Sequence, residues 1–239
     1  MLPVQEISAA FWSSMLISPC MMMIDLSIHR SHQHTEKGIA SFIQTAKDLR
    51  NRRIPFWKSY IIMSTVYFLT FGTANVSEYY HMTPLFTLGL TTTANVSAMA
   101  YKDRYYSSLW GTTLPLQYLP WKSRCLSTVG ALGTIYAQFV QRKPLEKHMI
   151  NAGVSSSGAA FLSSVLICSA AQTVSTPFHL LSMDFYRYPN ETLWKRFIRI
   201  RAAYTTVCTG RMLRILPAFG GGGYLNERWK CQKIYYDAK

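Results

Sequence analysis

The stretch GRMLRILPAFGGGGYLNERWK, from Gly210 to Lys230, decides how this chain folds. Between Arg214 and Glu227 lie twelve uncharged residues, rich in Gly and apolar side chains. In water such a run makes a poor helix, since each Gly costs about 1 kcal/mol relative to Ala. In a bilayer the backbone must satisfy its own hydrogen bonds, and small residues let neighbouring helices approach closely. The run therefore reads as a membrane helix with a glycine seam.

The rest of the composition agrees with that solvent. Only 15% of the 239 residues are charged, 14% are aromatic, and the net charge is +14. A soluble domain carries about 25% charged residues. Mean hydropathy is only +0.05 because basic connections dilute the apolar runs. The five cysteines (Cys20, Cys125, Cys168, Cys208 and Cys231) are dispersed. That spacing supports neither a disulfide framework nor a zinc site. The opening MLPVQEISAA has no Arg or Lys, so a signal peptide or cleavable presequence is not expected.

Charge-free runs occur at 7–24, 59–77, 79–101, 125–141, 149–183 and 215–226. A span needs about 20 mainly apolar residues, so these runs predict six transmembrane helices in an all-α membrane protein. A further run at 105–121 holds Gly111, Pro115 and Pro120 and reads as an irregular connection. Pro177 should kink the long fifth run. The connections after the first, third and fifth runs carry +4, +3 and +5, which is +12 of the total +14. An up-down bundle places all three on one side of the membrane. A nucleic-acid-binding protein would instead carry its positive charge along helix faces, so no nucleic-acid partner is expected.

A threefold repeat underlies the pattern. Trp57-Lys58-Ser59, Trp121-Lys122-Ser123 and Cys208-Thr209-Gly210 stand before the second, fourth and sixth runs. Lys37-Gly38 introduces an amphipathic stretch at 39–50, and Leu193 to Ile200 is its later counterpart. With the Arg-x-x-Pro head, glycine seam and Glu-x-x-Lys foot of the last run, these features resemble the mitochondrial carrier family. The resemblance implies repeats at about 4–81, 82–143 and 144–236 of a single domain, with short matrix-side surface helices. It also implies a multi-pass protein of the mitochondrial inner membrane, with cardiolipin held at Lys37, Gly38, Trp57, Lys58, Trp121, Lys122 and Gly210.

Judged against that family, the gates look degraded. The matrix motif P-x-[DE]-x-x-[KR] leaves only Pro19, followed by Met21 and Ile24, and Pro177, followed by His179 and Ser182. The outer motif [FY]-[DE]-x-x-[KR] keeps Glu227 and Lys230 in the sixth helix. The equivalent positions in the fourth and second are Val140 with Lys143, and Val76 with Tyr79, while Glu78 lies two residues off. Arg214 is the substrate-contact candidate, because an intramembrane charge is expensive. The bland alternative is an arginine snorkelling to the interface without a partner.

The remaining signals are weaker. His29, His32 and His34 form H-x-x-H-x-H, which reads as a solvated loop rather than a metal site. Gly220 to Gly223 has no Lys-Ser/Thr after it, so helix packing explains it better than phosphate binding. No Ser/His/Asp or Cys/His grouping supports catalysis, and neither an enzyme nor a cofactor is expected. Lost gates lead to the expectation of a non-transporting accessory subunit in a respiratory complex or ATP synthase, contacting neighbouring subunits and lipid. A metabolite transporter with atypical gates is one alternative. An outer-membrane homologue acting in protein insertion or membrane dynamics is the other.

Overall fold

A computed structural model describes residues 3–34, 38–110 and 121–236. Every element in it is helical. Helix α1 is Val4–His34, α2 is Gly38–Arg50, α3 is Phe56–Tyr79 and α4 is Pro84–Ser108. Helix α5 joins Trp121–Tyr136 to Arg142–Asn151 through a π-turn at Ala137–Gln141. Helix α6 is Ser156–Arg187. Helix α7 joins Leu193–Ile215 to Gly222–Tyr236 through a second π-turn at Leu216–Gly221.

The six long helices form a closed ring. Each packs on its neighbour in chain order, α7 closes against α1, and α2 lies along α1. At one end, the turn end, the connections are short: residues 80–83 and 152–155. Gly153 adopts φ +90° in the second of these, and the Ser155 side chain accepts from the Gly158 amide to start α6. At the other, basic end lie the connections that carry most of the positive charge.

The ring interior holds many buried polar side chains beside an apolar core that includes Met21, Met22, Leu26, Phe71 and Phe219, and large apolar side chains face outward. Ser13, Ser14, Ser18, Thr70, Asn75, Gln138 and Gln172 are buried, while Trp12, Leu16, Leu85, Leu166 and Val174 are exposed. A water-soluble fold sorts these residues the other way. The buried hydroxyls bond back within their own helices: Ser14 donates to Ala10 O at 2.6 Å, Ser18 to Ser14 O at 2.6 Å, and Thr70 to Val66 O at 2.8 Å. That satisfies them without water. Segments Val4–Ser31 and Ser156–Phe185 are each long and apolar enough to cross a membrane.

Glycines set the spacing of α7. A Cβ on Gly220 would stand 2.8 Å from Val165 Cγ2 of α6, and one on Gly222 would stand 2.7 Å from Ile17 Cδ1 of α1. A Cβ on Gly223 would meet the Gln138 amide of α5 at 3.0 Å. The seam thus presses α7 against three helices at once. Gly222→Val is expected to cost about 1–3 kcal/mol through overpacking, read as a lower melting temperature in detergent. Gly133, with nothing within 4 Å of its Cβ position, is the control: Gly133→Ala should leave melting unchanged or raise it.

Several expectations change. Asp25 and the histidine triplet, assigned above to a connection, lie inside α1, and His29 is buried. The stretch Leu193 to Ile200 is the start of the long helix α7, with no separate surface helix there. Helices α1 and α6 run on through Pro19 and Pro177. Lys37 and most of the 105–121 connection lie outside the described residues.

The three small residues of the repeat each lie at a contact between helices. Ser59 O accepts from Tyr106 of α4 at 3.0 Å, and Ser123 exchanges two 2.7 Å bonds with Ser182 of α6. A Cβ on Gly210 would meet Ile28 of α1 at 3.3 Å. Ser59 and Ser123 thus tie α3 and α5, near their starts, each to the next helix in the chain, whereas Gly210 lies well inside α7 and packs against α1.

Candidate functional site: a charged chamber between two bonded layers

Within the ring lies a small chamber of about 50 Å³. Tyr67 of α3, Asn95, Met99 and Asp103 of α4, Ser127 and Thr134 of α5, and His179 of α6 line it. Helix α7 contributes Arg211, Arg214 and Phe219. Arg211 and Arg214 are three residues apart, so one helix face presents both.

On its basic side the chamber is bounded by a buried charge cluster. Asp25 accepts from Lys102 and, at 2.9 and 3.2 Å, from Arg214 Nη1. Lys102 also reaches Asp103 at 2.9 Å, and His29 Nε2 lies 3.2 Å from the same carboxylate. Lys102 sits over the Tyr106 ring at 5.5 Å. Three helices (α1, α4 and α7) are thus tied through one carboxylate. Buried charges survive only when paired and bonded, and Asp25 at 2% exposure meets that condition.

Arg211 differs from its neighbour. Its Nε donates to Gln172 Oε1 at 2.8 Å, and its Nη2 lies 3.4 Å from Ser175 Oγ. Gln172 in turn donates to Thr134 at 2.9 Å. Both of these partners of Arg211 are neutral.

On the turn side a second layer crosses the ring. Glu78 of α3 accepts from Lys143 of α5 at 2.5 Å and from Lys230 of α7 at 2.7 Å. Arg142 reaches Glu227 at 3.4 Å, and Lys230 reaches Glu227 at 3.5 Å. Just beneath, Asn75 and Asn226 exchange amide bonds of 2.8 and 2.9 Å, and Asn75 also donates to Glu6 O of α1. Both asparagines are 2% exposed.

These placements revise the residue readings. Arg214 has a partner, Asp25, so it does not snorkel alone. The turn-side layer is assembled from Glu78, Lys143, Glu227 and Lys230 together, although Glu78 stood off register in the sequence. His179 faces the chamber, whereas Pro19 and Pro177 are absent from its lining. Trp57 and Trp121 are exposed, while Lys58 and Lys122 sit over the rings of Tyr105 and Phe185. Gly38 opens α2 and is exposed. Among the described residues no group of His, Cys, Asp and Glu could hold a metal. Sequence reasoning missed Asp25, Lys102, Asp103 and Arg211. Their charges were counted with the connections, although each breaks an apolar pattern within about three turns of a run's end.

A family model described as a probable citrulline exporter matches residues 9–232. No curated protein and no solved structure matches the chain. The match overturns the resemblance to mitochondrial carriers. With it go the inner mitochondrial membrane and the accessory role in a respiratory complex or ATP synthase, which rested on that resemblance. The inference that transport had been lost falls too, since it depended on gate positions borrowed from another family. The family description is that of a transporter rather than an enzyme, and of a membrane protein with helical spans.

Proposed function

The chain belongs to the probable citrulline exporter family, and from that premise we propose that it moves citrulline across a membrane along the axis of its helix ring. The observation that carries this reading is the chamber inside the ring, bounded by the Asp25–Lys102–Arg214 cluster on its basic side and by the Glu78–Lys230 layer toward the turns. Citrulline is a zwitterion with a neutral ureido tail, so it needs a cation, an anion and neutral hydrogen-bonding groups. Arg211, Asp103, and the Asn95 and Thr134 side chains supply those three kinds of group.

All six long helices cross the bilayer in this proposal. The shortest, α3, has 24 residues and at 1.5 Å per residue is about 36 Å long, enough for a hydrocarbon core of about 30 Å. The basic end faces the cytoplasmic or equivalent positive-retaining side. Exposed Trp57, Trp121 and Trp194 stand near that boundary beside basic residues, which suits them to anionic lipid headgroups.

At about 50 Å³ the chamber is smaller than the roughly 300 Å³ at the low end of small-molecule sites. Citrulline therefore enters after one end of the ring has parted, and it leaves after the other has. Each layer stabilises one closed end, and transport requires the two closed forms to be close in free energy. The turn-side layer is suited to this, since exposed pairs such as Lys143 with Glu78 contribute about 1 kcal/mol or less each.

The test is efflux of labelled citrulline from liposomes holding the purified protein. Saturable efflux, above that of protein-free liposomes and suppressed by excess unlabelled citrulline, is the expected result. Efflux equal to the protein-free background would refute the proposal.

A further inference from the structure

We infer that Arg211 is the residue that receives the carboxylate of the transported amino acid, and that the chamber discriminates against amino acids with cationic side chains. This deepens the transporter reading and rests on it.

The argument starts from the charges buried around the chamber. Lys102, Arg211 and Arg214 are positive, and Asp25 and Asp103 are negative. The two carboxylates are taken up by Lys102, Arg214 and His29. Arg211 has only Gln172 and Ser175. Among the described residues no carboxylate lies within 4 Å of it, and it is only 6% exposed. A buried guanidinium without a counter-ion is costly unless a ligand provides one.

The geometry of the group narrows that ligand. A guanidinium offers five N–H donors in a planar fork that fits a carboxylate through two parallel bonds. Two of those donors are committed to Gln172 and Ser175, and the side chain lines the chamber. The Gln172 bridge to Thr134 fixes the Gln172 amide, so the guanidinium does not swing freely. A guest carboxylate at this fork would give Arg211 the counter-ion it lacks. A guest ammonium would then find Asp103, the less enclosed of the two acids, with a side chain 28% exposed.

Specificity follows from charge. Citrulline and arginine are nearly the same length and shape, but the ureido group is neutral and the guanidinium is not. A cationic tail would enter beside Arg211 and Arg214 with Asp25 held by Lys102 and Arg214 and Asp103 taken by the guest's own ammonium, and like charges at close range in a low dielectric repel strongly. A neutral ureido tail instead finds hydrogen-bonding partners.

The experiment uses the full chain in proteoliposomes. Unlabelled citrulline, arginine, ornithine and citrulline amide compete against labelled citrulline. Wild type is expected to show inhibition by arginine, ornithine and the amide at least about tenfold weaker than by citrulline, a difference of about 1.4 kcal/mol. Arg211→Gln should raise the KM for citrulline about tenfold or more and erase the distinction between citrulline and its amide. Arg211→Lys, which keeps the charge but not the fork, should fall between them. A purely structural role would lower the amount of folded protein without changing the acid-to-amide ratio. Equal inhibition by arginine, or an unchanged KM and ratio in Arg211→Gln, overturns the inference.

A second measurement separates this from failure of the transporter reading. If the wild type moves no citrulline, thermal stabilisation of the detergent-solubilised protein by citrulline against citrulline amide still reads Arg211. A shift with the acid alone, lost in Arg211→Gln, supports the carboxylate site. No shift with the acid overturns it.

Discussion

Asp25→Asn is expected to lose about 3–5 kcal/mol of stability, the usual cost of breaking a buried ion pair. Asparagine keeps the size of the side chain and removes only its charge. That leaves Lys102, 1% exposed, and Arg214 without their shared carboxylate in the middle of the ring. Three helices lose their common tie at the same moment. Melting in detergent, followed by a thiol-reactive dye reaching buried Cys168 and Cys208, should therefore begin well below the wild-type temperature. Asp25→Asn/Arg214→Met should recover part of the loss, because Arg214 is the cation left unpaired while Lys102 keeps Asp103 at 2.9 Å. A single variant that melts with the wild type would show that the cluster does not hold the helices together.

The second large effect is expected at the basic end. Arg196 is 1% exposed and closes the turn between α6 and α7. Its Nη1 bonds Asp184 at 2.6 Å, its Nε bonds Glu191 O at 3.1 Å, and its Nη2 bonds the carbonyls of Tyr188 and Pro189. The guanidinium also lies 4.2 Å from the centre of the Phe185 ring. Charged hydrogen bonds contribute about 1.5–3 kcal/mol each, and their loss is not additive. Arg199 retains Asp184 at 2.7 Å, so Arg196→Ala should cost about 3 kcal/mol rather than the full sum. Arg196→Lys should rescue little, since a lysine cannot span three carbonyls and a carboxylate. Faster amide exchange and proteolysis at residues 188–192, with the remote turn at 152–155 unchanged, would confirm a local role. Uniform loosening of both turns would contradict it.

How much of this was legible beforehand depends on what each pattern encodes. The charge-free runs 59–77 and 125–141 fall within α3 and α5, and the amphipathic stretch 39–50 is α2. Apolar length signals a helix wherever the backbone must bond to itself, so these elements could be read. The rule that a run ends at its first charge failed at Asp25 and at Lys102. Both are matched across the ring, and a neutralised charge lets a helix continue through an apolar interior. Fixed residue counts failed at Glu78 for a different reason. Long flexible lysines at 143 and 230 reach a carboxylate two positions from its expected place, so ion pairs do not demand strict register. Arg211 was invisible because nothing in a linear sequence distinguishes a matched arginine from an unmatched one. That difference exists only once Asp25 has chosen Arg214. The functional reading failed through the same step: motif positions from one family were used to judge a chain that belongs to another.

The two π-turns have a mechanical consequence. A π-turn admits an extra residue and loosens the regular ladder, and such turns gather at functional sites. In α5 the turn at Ala137–Gln141 separates Ser127 and Thr134, which face the chamber, from Arg142 and Lys143. In α7 the turn at Leu216–Gly221 separates Arg211 and Arg214 from Glu227 and Lys230, and Pro217 withholds one amide there. Both helices are therefore jointed rods, each articulated between the part that lines the chamber and the part that carries the turn-side ion pairs. If citrulline passes through the ring as proposed, a door at the turn end would have its own hinge in these two turns.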